Sequence, residues 1–301
     1  MQFVKACRED NKSIVRFLVE NSFISVTELY DNNQTLLHRA AACANAPIVS
    51  LILEFNKDVI DIQDTWGNTA LYTAIKTYNN IPESSESILL MLSKRLLDLM
   101  DTQLDTALHT NPKLCRNIPK NHVIETVRVL IENGASIVIK NKAGDTPLHY
   151  ATLFKAVELV SFISQLDDTV VNIVDKHGGT ALHRLCRDYN EEFQEQIMDI
   201  ARVLIKNGVS VIIKDKDGCT ALHYATVKKV VELVSLISQV DTTIVNMVDN
   251  DGRTALHRLC MHYPDRSEER AIDTARVLIK NGASVVLRDQ DDRTALHSAA
   301  S

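Results

Sequence analysis

The sequence predicts an all-α fold, an elongated solenoid of helix–turn–helix units with protruding turns, in which no unit is stable alone. Three observations predict it. The motif Thr-Ala-Leu-His stands at 106–109, 180–183, 220–223, 254–257 and 294–297, with close variants at 35–38, 69–72 and 146–149. Successive motif threonines lie 34, 37, 40, 34, 40, 34 and 40 residues apart, and a period in the thirties marks small units that bury their apolar faces only against neighbours. At 301 residues the chain exceeds the size at which one compact core stops growing, and 45% hydrophobic and 24% charged residues argue against large-scale disorder.

A longer period of 74 is superposed, from Thr146 to Thr220 and from Thr180 to Thr254. Residues 149–175 match 223–249 at about two thirds of their positions, and 201–215 match 275–289, so a two-repeat cassette is duplicated within the chain.

The elements follow in order. Residues 1–34 read as an N-terminal half unit, with short helices at FVKACRED and SIVRFLVEN. Seven motif-bearing units follow over 35–293, and 294–301 begins a truncated one, which leads us to expect a longer protein. In each unit the threonine caps a first helix, alanine or proline suits the first helical position, and leucine turns into the core. A second helix carries apolar residues at helical spacing, such as Ile200, Val203, Leu204 and Ile205. It stops at Asn207-Gly208, a pair repeated at 133–134 and 281–282. In the 34-residue units Gln165–Asp168 and Gln239–Thr242 replace that stop, so those corners should be built differently.

An extended run rich in Val and Ile (209–213, 283–287) then leads into an Asp-x-x-Gly turn at 64–68, 175–179, 215–219 and 249–253. The 40-residue units carry extra residues between their helices, at 111–121, 188–196 and 262–270, and a smaller insert runs from 79 to 86. About seven residues are two helical turns, so such inserts can lengthen a helix without rotating its apolar stripe. Asn190 can cap a helix ahead of Glu191 and Glu192, Pro264–Glu268 offers an Asp-x-x-Glu box, and 111–121, with Pro112 and Pro119, reads as loop.

Taken with these motifs, the chain resembles the ankyrin repeat family over essentially its whole length. The resemblance implies a curved solenoid whose turns and first helices form a concave binding surface. The pattern departs from the family's where alanine replaces proline at 70, 107, 181, 221, 255 and 295, and Leu36 in a further motif, leaving only Pro147. Tyr72 stands for histidine, and Leu104 and Asp292 stand for the turn glycine, which puts the turns before Thr35, Thr106 and Thr294 in question.

Charge and composition narrow the chemistry. A net charge of −6 and a pI near 5.9 argue against a nucleic-acid partner held through phosphates. No apolar run approaches the roughly 18 residues of a membrane span, and the first residues lack a secretory signal's layout, so no membrane insertion is expected. Cys7, Cys43, Cys115, Cys186, Cys219 and Cys260 show no disulfide framework; Cys186 and Cys260 occupy equivalent cassette positions that suit a small buried group. A reducing compartment, the cytoplasm, or a host's cytosol or nucleus, is the expectation.

No phosphate loop or hydrolase signature is present, so the chain is expected not to be an enzyme and to need no cofactor. Motif histidines are expected to tie units together by hydrogen bonds. The nearest approach to a metal cluster is His257, Cys260 and His262, whose spacing does not put all three on one helix face, and no metal is expected. Asp188, Glu191, Glu192 and Glu195 read as a solvated helix face rather than a paired acid and base.

A repeated frame with varying exposed positions is what recognition requires, although drift at unconstrained sites would give the same pattern. We expect a protein partner at the turn tips Trp66, Asn68, Lys142, Asp145, Lys176, His177, Lys216, Asp217, Asn250, Asp251 and Arg253, and at the first-helix ends Phe154, Arg187, Asp188, Lys228, Met261 and His262. Trp66 is either packed on the neighbouring turn or free for a partner. A monomer is expected, with self-association through the lengthened units as the alternative. Two functional readings stand: an interaction scaffold, or the targeting arm of a larger effector with an enzymatic or ligase-recruiting domain beyond Ser301. In style the cassette duplication resembles host-directed effectors of intracellular bacteria or large DNA viruses.

Overall fold

The computed structural model describes residues 12–22, 24–78, 119–261 and 268–299. The motif at 106–109, the inserts at 79–86 and 111–118, the Asp-x-x-Glu box and helix FVKACRED lie outside these residues, as do Cys7 and Cys115. The chain divides into two compact units, Met1–Ala143 and Gly144–Ser301. Among the described residues all regular structure is helical, and only single bridges such as Val248 to Thr254 and Arg288 to Thr294 stand at the bases of turns. The expected extended runs at 209–213 and 283–287 therefore form no ladder.

In the first unit, α1 (Lys12–Glu20), α2 (Leu36–Ala42), α3 (Ala46–Phe55), α4 (Ala70–Thr77) and α5 (Lys120–Glu132) form two layers. First helices α2 and α4 pack together, and second helices α1, α3 and α5 pack in sequence behind them. The apolar positions explain the layering: Leu36, Leu37, Ala40 and Ala41 of α2 are buried, as are Ile48, Val49, Leu51, Ile52 and Leu53 of α3. Alanine at the first-helix contacts lets short helices approach closely, while leucine and isoleucine fill the space between layers.

The second unit repeats this plan. Its first helices are α6 (Pro147–Leu153), α8 (Ala181–Arg187), α10 (Ala221–Val227), α12 (Ala255–Met261) and α14 (Ala295–Ala299). Its second helices are α7 (Val157–Leu166), α9 (Gln194–Lys206), α11 (Val231–Val240) and α13 (Glu268–Lys280). Each layer packs on itself in chain order. Leu148, Leu182 and Leu222 are fully buried, whereas Leu296 of the last helix is 71% exposed because no described element covers it.

Four of the described first helices open on a reciprocal box. At Thr35, Thr146, Thr180 and Thr220 the threonine side chain takes the backbone N–H of the histidine three residues on, and that histidine returns to the threonine N–H. The imidazole thus holds the place that glutamate or glutamine takes in the common form of this cap. His183 Nδ1 accepts the Thr180 N–H at 3.1 Å, and its Nε2 faces the carbonyls of Ile213 and Cys219 at 3.1 and 3.3 Å. Since only carbonyls face Nε2, that nitrogen carries the proton and Nδ1 is the acceptor. The bond ties one hairpin to the next, as the sequence suggested.

Corners differ as the 34- and 40-residue spacings suggested. The longer second helices end on Gly208 and Gly282 at φ +83° and +94°. The shorter ones end at Asp167 and Asp241, whose carboxylates accept the N–H of Thr169 and Thr243 at 2.8 and 2.9 Å and start a 3-10 turn. Asn190 accepts the Glu192 N–H and opens a 3-10 turn that runs into α9, which has 13 residues against 10 in α7.

One junction joins residues further apart in the chain than its counterparts. In the second unit, Asn172 accepts the Ser210 N–H at 2.7 Å and Asn246 accepts that of Ser284 at 2.8 Å, each pair 38 residues apart. The equivalent bond in the first unit joins Asp61 to the Ser136 N–H at 3.0 Å, 75 residues apart. Around it, Gln63 donates to the Lys140 carbonyl, and the Lys142 N–H donates to the Trp66 carbonyl. Tyr72, standing for histidine, sends its hydroxyl to the Ile139 carbonyl at 2.6 Å. The turn at 64–68 therefore sits directly on residues 141–143, and α4 packs against α5. The bonded pair here is 37 residues further apart than its counterparts, 75 against 38, and the motif at 106–109 lies in the part of that span outside the described residues. Tyrosine cannot return to its cap as histidine does, and Thr69 Oγ1 is left buried without a partner.

Candidate protein-binding face

The turns owe their form to one aspartate each. Asp175 Oδ1 accepts the N–H groups of His177 and Gly179 at 2.7 and 3.0 Å, and Asp64, Asp215, Asp249 and Asp289 do the same for the residues two and four further on. The turn glycine is required twice over. At Gly218, φ is +75° and a Cβ would stand 2.6 Å from the Asn250 nitrogen of the next turn. Asp292, in the same place of the last described turn, takes φ +60° itself, and Asn32 takes +64° in the first, so both irregular turns keep the left-handed residue.

Neighbouring turns are stitched by their backbones. Lys216 N donates to the His177 carbonyl, Asn250 N to the Asp217 carbonyl and Gln290 N to the Asp251 carbonyl, at 2.9 to 3.0 Å. This aligns the tips in register.

The first helices add a second row. Their incompletely buried positions lie three apart, Tyr150 and Leu153, Arg184 and Arg187, Tyr224 and Val227, Arg258 and Met261, and so form one stripe per helix. Arg184 reaches Asp145 at 2.6 Å, Arg258 reaches Asp249 at 2.7 Å, and the Tyr224 hydroxyl donates to Asp215 at 2.6 Å. Since each of these partners belongs to a turn, the stripe and the turns border one face. In the first unit Arg39 covers the Tyr30 ring at 4.5 Å on the corresponding side.

Electrostatics follows from these contacts. Burial works to raise Asp249, but the N–H of Arg253 and the Arg258 guanidinium together hold its carboxyl below the usual range. Burial pushes the Tyr224 hydroxyl up, reinforced by its bond to Asp215. Burial lowers His38, His183 and His223, the last to about 4. Cys219 is pushed up by burial to about 12, so its thiol is a packing group. His257 has both ring nitrogens engaged, by the Thr254 N–H and the Arg293 carbonyl. No group of three or more metal-ligating side chains occurs among the described residues.

The residues singled out from sequence fall as follows. Trp66 is 53% exposed at a turn tip, with Asn68 half-buried and Lys142 exposed beside it in the first unit. Lys176, His177, Lys216, Asp217, Asn250 and Asp251 are exposed tips of the second unit, and Arg253 is half-buried against Asp251. Arg187, Asp188, Lys228 and Met261 edge the stripe, and Phe154 packs edge-on against Tyr150 at 5.5 Å. Asp145 needs correction: it is 2% exposed and held by Arg184, so it braces the face from within. His262 lies outside the described residues. Sequence reading missed Tyr150, Arg184, Tyr224 and Arg258, although all four follow directly on a motif histidine.

The fold is a scaffold of stacked helical hairpins. A family model for ankyrin repeats in three copies matches residues 3–103, 114–193 and 166–246, and a single-repeat model matches 251–290. The chain belongs to the ankyrin repeat family, whose repeats in general mediate protein–protein interaction. The B-cell lymphoma 3 protein homolog of Mus musculus is 25% identical over 162 residues, which are 54% of this chain and 34% of that protein. The probable 26S proteasome regulatory subunit p28 of Saccharomyces cerevisiae is 27% identical over 171 residues, 46% of this chain and 75% of that one. The ANK repeat-containing protein nipk-1 of Caenorhabditis elegans is 31% identical over 150 residues, 46% of this chain and 24% of that protein. The chain thus spans about a third of the mouse relative's length. Among solved structures, the ankyrin repeat domain of Bcl-3 superposes with a TM-score of 0.61 at 21% identity, covering 90% of this chain and 96% of that one. An ankyrin repeat domain from Acinetobacter baumannii gives 0.57 at 18% identity, covering 79% and 97%. Both likenesses concern the fold.

Proposed function

We propose that this chain is a non-enzymatic scaffold that holds a partner protein against its turn tips and first-helix stripes. One observation carries the reading. The recurring residues Thr, Leu, His and Asp are spent on caps, core and turn bonds, while the positions bordering them differ along the array: the half-buried stripe alternates Tyr150, Arg184, Tyr224 and Arg258, and the exposed tips pass from Lys176-His177 to Lys216-Asp217 to Asn250-Asp251. An invariant frame with a variable surface suits many modest contacts spread over several units. No helix among the described residues is long and apolar enough to cross a membrane.

The test begins with peptides selected by display against the full chain. Their affinity is then measured for R187E/M261D, on the stripe, and for R202E, on the second-helix layer. Loss with the first variant and retention with the second supports this face; the reverse pattern overturns it.

A second reading is a targeting arm within a longer protein, acting in the cytoplasm or in a host cell. It is favoured by relatives such as the mouse and nematode proteins, in which the matched segment is 34% and 24% of the length. Locating the chain's reading frame and its downstream sequence decides it.

A further inference from the structure

We infer that the partner segment held by the second unit is acidic, a stretch of protein chain rich in Asp and Glu; this rests on the binding face proposed above. The chain's net charge of −6 points the other way, so the inference depends on how charges are used rather than on their sum.

On the face itself the carboxylates are mostly consumed. Asp175, Asp215 and Asp249 each accept N–H groups of their own turn. Asp249 also holds Arg258, Asp145 holds Arg184, and Asp188 is shared by Arg184 and Arg187 at 3.3 and 3.6 Å. Further along, Asp251 pairs with Arg253, and Asp291 with Arg293. Three exposed cations have no such engagement: Lys176, Lys216 and Lys228 make no ion pair among the described residues. Lys176 and Lys216 head adjacent tips, joined through the His177 carbonyl, and Lys228 ends α10, the helix that follows the Lys216 turn. Asp217 is the exposed carboxylate among them, one negative charge beside three positive ones.

The opposite layer carries exposed glutamates: Glu192 in the 3-10 turn ahead of α9, and Glu195 and Glu232 on the second helices, the last two lining a shallow depression with Asp199 and Arg202. Lys176, Lys216 and Lys228, which make no ion pair among the described residues, thus cluster on the turn and first-helix side, whereas the second helices expose both signs, with Arg202, Lys206, Arg276 and Lys280 beside the glutamates. A carboxylate-rich segment would approach the first side down a favourable potential and gain less from the mixed charges of the second. Leucine and valine in the stripe, Leu153 and Val227, give its aliphatic side chains a place to rest.

The experiment titrates the full chain with fluorescein-labelled peptides of alternating Glu and Leu, with the Lys and Leu counterpart, and with single-stranded DNA of matched charge. The Glu/Leu peptide should bind, with K176E/K216E/K228E weakening it about tenfold or more, E192K/E232K leaving it unchanged, and added salt weakening it in the parent chain. Thermal melting of each variant, and the milder K176Q/K216Q/K228Q, which should show an intermediate loss, separate lost binding from lost folding. Equal affinity in the triple reversal overturns the inference, as does preference for the Lys/Leu peptide. DNA bound as tightly as the peptide overturns it too, since the surface would then read phosphate. If display-selected ligands depend on Arg187 and Met261 while the Glu/Leu peptide fails, the binding face stands and its acidic preference falls.

Discussion

Two junctions built from equivalent residues differ by a factor of two in chain separation. In the second unit Asn172 meets Ser210 across 38 residues; in the first, Asp61 meets Ser136 across 75. The local geometry barely changes, with bonds of 2.7 and 3.0 Å to the same position of the next turn. Register in a stacked array is thus set where surfaces meet, by turn carbonyls, buried leucines and the polar clasp at this corner. Chain length between two such bonded residues is free to vary, because lengthening a connection costs only logarithmically in closure entropy.

The comparison can be broken most forcefully in the core. Leu71 of the first unit and Leu222 of the second are both fully buried, and replacing either with alanine should cost about 2–5 kcal/mol. Urea unfolding followed by circular dichroism measures both. Similar losses mean that the direct junction packs as densely as the regular one; a negligible loss at Leu71 means that it does not.

Acid should act next most strongly, and on the histidine ties. His223 is lowered by burial from an ordinary 6.5 to about 4, so between these values the unfolded chain binds a proton that the native state refuses. Stability is complete above the ordinary value and is lost as pH falls toward 4, by about 3 kcal/mol at most from this group. His38 and His183 shift in the same direction. The H223Q variant should show a shallower loss in melts run from pH 7 to pH 4, and an unchanged slope would remove His223 as a cause.

Excising residues 80–116 should leave helices α4 and α5 joined by a short connection like the others and raise stability by up to about 2 kcal/mol through loop closure. Cooperative collapse of the shortened chain would mean that the excised residues supply a step of the stack. The smallest effect distinguishes the clasps themselves. Asn172 also donates to the Gly208 carbonyl at 3.1 Å, a bond no carboxylate can make. N172D should therefore lose about 1 kcal/mol, and D61N should gain a similar or smaller amount if its new amide reaches the Gly134 carbonyl.

Much of this was legible in the letters. The tetrapeptide marked each first helix, the Asn-Gly pairs marked one kind of corner, and Asp167 and Asp241 marked the other. Legibility failed where partners are distant in sequence. Counting motifs does not say which turn a given turn will sit on: the turn at 64–68 meets residues 141–143, and Tyr72, a letter out of pattern there, was the available warning. Asp145 looked like a tip residue because Arg184, which buries it, is 39 positions away. The stripe residue after each motif histidine was visible as a position, but only the contacts of Arg184, Tyr224 and Arg258 with the turns give it a face.

The most direct measurement places a photo-crosslinking phenylalanine analogue at position 66 of the full chain and maps the crosslinked peptide by mass spectrometry. A direct junction delivers the crosslink to residues 140–143, where Lys142 donates to the carbonyl of Trp66. A crosslink to residues 101–105, just ahead of the motif at Thr106, would contradict it and restore an ordinary repeat between the two turns.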